Sequence, residues 1–365
     1  MKKILCVVGT RPEAIKMAPV ILALKEKAWA DVSVLATAQH RHMLDQVLQF
    51  FGIVPDRDLD VMRPNQSLTE LTARLLVGAG EALDSEKPDV VLIQGDTTTV
   101  MAVAMAAFYR QIPLGHVEAG LRTGDIFNPF PEEANRLIAG HLAQWHFAPT
   151  ESSRANLLRE NISPDRIDVT GNTVIDALLD TAGRDLALGV PLPPHERLVL
   201  VTAHRRENFG EPFRRVCRAI LHLAQTNPDV CFLYPVHPNP NVKNVAESIL
   251  AGVPNILLCP PLDYAPFVAA MKKAYIILSD SGGVQEEAPA LGKPVLVLRH
   301  ETERPEAVAE GVVKLVGTDF DAIVTGAQRL LDDPRAYAAM ARGVSPYGDG
   351  KAASRIVARL ARDLL

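Results

Sequence analysis

No two of the four cysteines (Cys6, Cys217, Cys231, Cys259) stand at CxxC spacing, so the sequence offers neither a zinc site nor a disulfide framework. Cys6, Cys231 and Cys259 lie in apolar, strand-like runs, where a free thiol behaves as a small hydrophobe. No stretch approaches the roughly 20 apolar residues that a membrane helix requires. Lys2-Lys3 followed by Ile4 to Val8 imitates a signal peptide, but the run breaks at Gly9-Thr10-Arg11-Pro12-Glu13, too early for an h-region. A surplus of positive charge is missing as well. Against 38 Lys and Arg stand 43 Asp and Glu, a net charge of -5, which argues against a general basic surface for nucleic acid. Any anionic ligand must then be held by local groups. These absences describe a soluble, cytoplasmic protein with no nucleic-acid or membrane partner.

What is present is a globular composition, 48% apolar and 22% charged, in 365 residues, enough for two domains with a large core. Short β-branched runs alternate with longer helical patterns. Strands are expected at Ile4-Val8, Val32-Ala36, Val90-Ile93, Leu114-Val117 and Ile167-Thr170, and then at Leu198-Thr202, Cys231-Pro235, Ile256-Cys259, Ile276-Leu278 and Val295-Leu298. This rhythm specifies an α/β protein with parallel sheets covered by helices on both faces. It is interrupted once, at Arg184 to Arg197 with Pro191, Pro193 and Pro194, which reads as a surface connection near a domain junction. Two Rossmann-like, doubly wound domains in series follow. In such sheets ligands bind beyond the carboxyl ends of the strands, which selects the loops that matter.

Each polar cluster of unusual composition falls in such a loop. Gly9-Thr10-Arg11-Pro12-Glu13, with Lys16 one turn later, places two cations near a helix N-terminus, an arrangement suited to an anion, although it is not a GxGxxG fingerprint. In Gln94-Gly95-Asp96-Thr97-Thr98-Thr99 the aspartate ends a strand, where a helix cap and a functional carboxylate both fit. His116 to Thr123 carries Glu118 at another strand mouth, and Pro131-Glu132-Glu133-Ala134-Asn135-Arg136 starts a helix with two acids. Asp96, Glu118 and Glu132 share one expected sheet edge. Capping does not explain that convergence, whereas acid/base chemistry requires it.

The second domain opens with Ala203-His204-Arg205-Arg206-Glu207-Asn208 after its first strand, and Pro235-Val236-His237-Pro238-Asn239-Pro240 follows the second. His204 beside two arginines fits a phosphate or leaving-group contact; for His237 a rigid proline loop fits equally well. In Ser279-Asp280-Ser281-Gly282-Gly283-Val284-Gln285-Glu286-Glu287-Ala288-Pro289 the Ser-Gly-Gly turn exposes backbone N–H groups that form a cradle for a pyrophosphate. Glu287 stands where it can accept from ribose hydroxyls, and Thr302-Glu303-Arg304-Pro305-Glu306 brings a further cation to this edge.

With these segments assembled, the chain resembles the non-hydrolysing UDP-N-acetylglucosamine 2-epimerases, from Gly9-Thr10-Arg11-Pro12-Glu13 to Pro346-Tyr347-Gly348-Asp349-Gly350. The longest matching motifs are His116 to Thr123, Pro131 to Arg136 and Asp280 to Pro289. The resemblance implies the two-domain architecture of many glycosyltransferases, with the active site in the interdomain cleft. Its domains would be residues 1–173 with a returning helix at 347–365, and residues 174–346 binding UDP. It further implies a homodimer and a reaction without NAD or metal. UDP is eliminated from UDP-N-acetylglucosamine to leave a 2-acetamidoglucal, then added back to give UDP-N-acetylmannosamine for surface polysaccharide synthesis.

On that resemblance Asp96, Glu118 and Glu132 match the acid/base carboxylates, and Arg11, Lys16 and His204 match groups that contact or stabilise UDP. Ser281, Gly282, Gly283 and Glu287 match the diphosphate and ribose site, Arg304 its cationic neighbour, and Phe267 the uracil region. Gln39, Arg205 and His237 match a regulatory site for a second substrate molecule. His42 and Asn65 depart from the glutamine and arginine found there in some regulated members. A glycosyltransferase of the same fold using a UDP-sugar is the alternative; it has no evident use for three clustered carboxylates.

Overall fold

The computed structural model describes residues 1–37, 41–302 and 304–365, with residues 41–43 described in their backbone alone. The chain divides into two compact units, Met1–Ala177 with Tyr347–Leu365, and Leu178–Pro346. The division falls inside the helix Thr173–Gly183, and the proline-bearing segment after it carries no regular element until Arg197.

The first unit holds a seven-stranded sheet of β1 (Lys2–Val8), β2 (Ala30–Ala36), β3 (Arg57–Asp58), β4 (Val90–Gln94), β5 (Leu114–Val117), β6 (Trp145–Ala148) and β7 (Ile167–Val169). Their order is β3-β2-β1-β4-β5-β6-β7, all parallel. The second unit holds β8 (Arg197–Thr202), β9 (Val230–Pro235), β10 (Ile256–Cys259), β11 (Ile276–Ser279), β12 (Val295–Val297) and β13 (Val313–Leu315), in the parallel order β10-β9-β8-β11-β12-β13. Both sheets are doubly wound. The central strands, Ile4–Val8 and Val90–Gln94 among them, are buried along their length, because a parallel strand covered on both faces needs a continuous apolar run.

Three strands depart from the expected list: β3, β6 and β13. β3 spans two polar residues, and β6 and β13 are short and mixed in character, so none carries the β-branched run that betrays a longer strand. In each sheet the strand order reverses once, between β1 and β4 and between β8 and β11. At such a switch point the two flanking loops turn to opposite faces and leave a crevice beyond the carboxyl ends.

The C-terminal helix, Ala352–Leu364, belongs to the first unit. Ala352, Ala353, Ile356, Val357 and Leu360 form its buried stripe, and it packs on the helix Arg11–Lys25. Asp176 accepts from the backbone N–H groups of Ala352 and Ala353 at 3.2 and 2.8 Å, and the Trp145 indole donates to Asp363 at 2.8 Å. Truncating the fully buried Leu360 to alanine is expected to cost about 2–4 kcal/mol. Both tryptophans, Trp29 and Trp145, lie in the first unit, so tryptophan fluorescence during urea unfolding reads that loss directly.

Candidate functional site

In the first unit the switch-point loops begin with a tight capping box. Thr10 caps the helix Arg11–Lys25 and accepts from the Glu13 N–H, while the Glu13 carboxylate accepts from Gly9 and Thr10 at 2.5 and 2.8 Å. The other Glu13 oxygen accepts from the Thr97 hydroxyl at 2.5 Å, tying the loop after β1 to the loop after β4. Gly9 is required by close approach: a Cβ there would stand 2.6 Å from both Thr37 Oγ1 and Thr99 Oγ1. Burial pushes the Glu13 carboxyl up to about 7, against the hydrogen bonds from Thr97, Gly9 and Thr10 and with a small addition from Asp96.

The next loop removes the capping explanation for Asp96. Thr97 is the N-cap of the helix Thr98–Tyr109, so the Asp96 side chain is released from helix capping and pairs with the Arg136 guanidinium at 2.8 Å. Asp96 is held above the ordinary aspartate range, chiefly by burial. Arg136 and Lys16 oppose the shift, and Glu118 and Glu132 reinforce it. Those influences place Glu118 and Glu132 within electrostatic reach of Asp96.

Glu118 follows β5 directly and has φ +64°, a left-handed conformation that costs a non-glycine residue on the order of 1–3 kcal/mol. The turn aims its buried carboxylate back across the strand ends. Lys16 Nζ lies 2.5 Å from Oε1, Asn172 Nδ2 donates to Oε1 at 2.9 Å, and Gln94 Nε2 donates to Oε2. Asn172 in turn donates its backbone N–H to the Tyr347 carbonyl at 2.6 Å, so the Pro346-Tyr347-Gly348 motif buttresses the site from behind.

Glu132 is half-buried at the first position of the helix Glu132–Leu142, whereas its neighbour Glu133 is buried and structural. Glu133 accepts from the Thr123 and Gly124 N–H groups and pairs with Arg136 at 3.3 Å, while Asn135 bonds the Asp96 carbonyl at 2.9 Å. This short helix thus braces Asp96 from two sides.

At the second unit's switch point, Asp280 follows β11 and is fully buried. Its Oδ2 accepts from the His204 and Arg205 N–H groups, each at 2.8 Å, and shapes the loop after β8. The His204 ring stacks on the His237 ring, with centroids 5.5 Å apart and planes 10° from parallel. Ser281 caps the helix Gly282–Ala290 without a side-chain bond, which leaves the first-turn N–H groups available to an anion. Arg304 bonds Glu286 at 2.7 Å and lies over Gly282, where a Cβ would stand 2.9 Å from its Cζ. Glu287 is buried in the first turns of that helix, and Phe267 is half-buried on the helix Tyr264–Lys273.

The structure therefore gathers Asp96, Glu118, Glu132 and Lys16 on the first unit, with Arg11 opening the same helix as Lys16. It gathers His204, Arg205, His237, Ser281, Gly282, Gly283 and Arg304 at the switch point of the second. Gln39 lies outside the described residues, as does the His42 side chain. Gln94, Asn172, Arg136 and Asp280 complete these sites. Each stands inside or beside a polar cluster at a strand end, which is the only sequence signal they carry. Among the described residues no three His, Cys, Asp or Glu side chains assemble into a metal-holding group.

The chain matches the family model described as UDP-N-acetylglucosamine 2-epimerase over residues 22–361. It is 55% identical to the UDP-N-acetylglucosamine 2-epimerase of Escherichia coli K12, with 98% of each chain covered. A crystal structure of the Neisseria meningitidis UDP-GlcNAc 2-epimerase bound to UDP-GlcNAc is 50% identical, covers 99% of this chain and 100% of its own, and has a TM-score of 0.89. A Staphylococcus aureus structure in complex with UDP is 46% identical, covers 100% and 97%, and has a TM-score of 0.88.

Two histidines behind the carboxylates are buried neutral. His116 and His146 are cross-strand partners on β5 and β6, and burial pushes them down to about 4 and about 3. His116 Nε2 donates to the Gly95 carbonyl at 2.7 Å. Because the folded values lie below the unfolded value near 6.5, unfolding takes up protons as the pH falls. Their contribution is complete above about pH 6.5 and is lost below it. His146→Phe is expected to flatten the decline in stability between pH 6.5 and 4.5, by about 1.4 kcal/mol per pH unit. Urea unfolding at a series of pH values measures it.

Proposed function

The chain belongs to the UDP-N-acetylglucosamine 2-epimerase family, and from that premise we propose that it interconverts UDP-N-acetylglucosamine and UDP-N-acetylmannosamine by eliminating and re-adding UDP. The observation that carries this reading is the cluster of Asp96, Glu118 and Glu132 with Lys16 and Arg136 at one switch point. In the forward step a carboxylate takes the C2 proton, the C–H electron pair becomes the C1=C2 double bond, and the C1–O bond breaks to release UDP as an anion. In the return step UDP attacks C1 while C2 is protonated on the other face. A single proton carrier would hand the proton back to the face it came from, so inversion calls for proton-carrying groups on both faces. Asp96, held above the ordinary aspartate range by burial, suits that exchange. Lys16 stands beside Glu118 and balances its charge.

On this reading the second unit holds the nucleotide. The open N-terminus at Ser281, Gly282 and Gly283 and the Arg304 guanidinium take the diphosphate, Glu287 takes the ribose hydroxyls, and Phe267 lies against uracil. His204 faces the leaving phosphate, with Arg11 as a further cation. Four free, buried cysteines agree with a cytoplasmic enzyme. We also propose a homodimer joined through the helices Leu68–Glu86, Thr98–Tyr109 and Glu132–Leu142. These pack together and leave Val77, Phe108, Tyr109 and Ile138 exposed. Sedimentation is expected to give twice the chain mass, and Phe108→Asp to give one chain mass.

Proton NMR with UDP-N-acetylglucosamine in D₂O tests the activity. The expected result is the manno epimer with deuterium at C2 of both sugars. Free N-acetylmannosamine with accumulating UDP, or no exchange at C2 from a folded protein, overturns the reading. Glu118→Gln is expected to lower kcat by about 10²–10⁴-fold.

A further inference from the structure

The fully buried carboxylate of Asp280 is bonded unevenly. Its Oδ2 accepts from the His204 and Arg205 backbone N–H groups at 2.8 Å each and receives a longer contact from Asn208 Nδ2 at 3.4 Å. Its Oδ1 has no hydrogen-bond donor among the described residues, and His204 Nδ1 lies 3.6 Å from it. A buried carboxylate oxygen without a donor leaves its loss of hydration uncompensated. The remedy at hand is a small rotation of the imidazole with a proton on Nδ1. The rotation is confined to the ring plane, because the His237 ring lies parallel against one face. His237 is itself fixed as an acceptor at Nδ1 by the Asn239 N–H at 3.1 Å. Underneath, the Tyr234 hydroxyl donates to the Ala203 carbonyl at 2.6 Å and holds the base of the loop.

We propose that Asp280 is the positioning residue of His204: it keeps the ring proton on Nδ1, so that Nε2 is the nitrogen offered to substrate, and it stabilises the ring when Nε2 also takes a proton. The proposal deepens the reading of His204 as the residue at the leaving phosphate and rests on it. The charged and titratable groups facing His204 are Asp280, His237 and Arg205. Burial holds its pKa below the ordinary histidine value. Asp280 works against that, while His237 and Arg205 add to it. Among the described residues Asp280 is thus the neighbour that favours the protonated ring, the form able to donate to a departing diphosphate. His237, matched above to a regulatory position, acts on the same ring through the stack.

Two measurements decide the matter. The first reads the His204 ring nitrogens of the wild-type protein by long-range ¹H–¹⁵N NMR, assigned by loss of the signal in His204→Gln. The expected spectrum shows the Nδ1–H tautomer when the ring is neutral. The Nε2–H tautomer overturns the proposal whether or not the protein is an epimerase. The second is a double-mutant cycle. Asp280→Asn keeps a side-chain oxygen for the loop N–H groups but loses the charge. It is expected to lower kcat by about tenfold or more with KM little changed, and to lower the His204 titration point by about one pH unit or more. It should do nothing further in a His204→Gln background. Full additivity of the two substitutions, or an unmoved titration point, would mean that Asp280 only builds the loop. If His204→Gln keeps full activity, the assignment of His204 to the leaving phosphate falls, and the tautomer measurement still decides the Asp280 contact.

Discussion

The first unit depends on one buried carboxylate held from three directions. Glu118 receives Lys16 from the first helix, Gln94 from the end of β4 and Asn172 from beyond β7. A charge in that position is tolerated only because its partners converge on it. The convergence has a cost, since Glu118 must occupy a left-handed backbone conformation at the strand end. Gly120 follows with φ +90° and packs so tightly on the Ser153 carbonyl that a Cβ would approach to 2.4 Å. The contacts around Glu118 hold it in that strained conformation, which turns the carboxylate across the strand ends.

The second unit repeats the plan with different chemistry. Its switch-point aspartate, Asp280, is spent on the backbone of the adjacent loop and on His204, and the helix after it begins with glycine and an open N-terminus. One edge therefore concentrates groups that carry protons, and the other offers donors and a cation suited to a nucleotide diphosphate. Elimination of a diphosphate from a sugar needs both functions. The doubly wound sheet supplies a crevice for each, because the strand order reverses once in each unit.

Much of this is legible in the sequence. Long apolar runs mark the central strands, and polar clusters at their ends mark the loops. What escaped is instructive. β6 and β13 are too short and too mixed to announce themselves. In the sequence Asp96 fits a cap as well as a functional group; in the structure Thr97 holds the cap position. Glu13 stands where any first-turn acid would, yet it ties the loops after β1 and β4 together through Thr97. Asn172 stands in the small polar turn Thr170-Gly171-Asn172-Thr173 after β7, and nothing in that run tells that it bonds Glu118. Such contacts join residues far apart in the chain, as Lys16 and Glu118 also do, and local pattern carries no record of them.

Epimerisation by elimination requires cleavage of the bond between C1 and the diphosphate oxygen, with UDP held long enough to return. Positional isotope exchange tests this most directly, using UDP-N-acetylglucosamine labelled with ¹⁸O in the bridge between sugar and phosphate. Label is expected to appear in the non-bridging positions of the β-phosphate during epimerisation, read as small shifts in the ³¹P spectrum. An epimer that forms while the label stays wholly in the bridge would contradict it, since C2 would then be inverting with the C1–O bond intact.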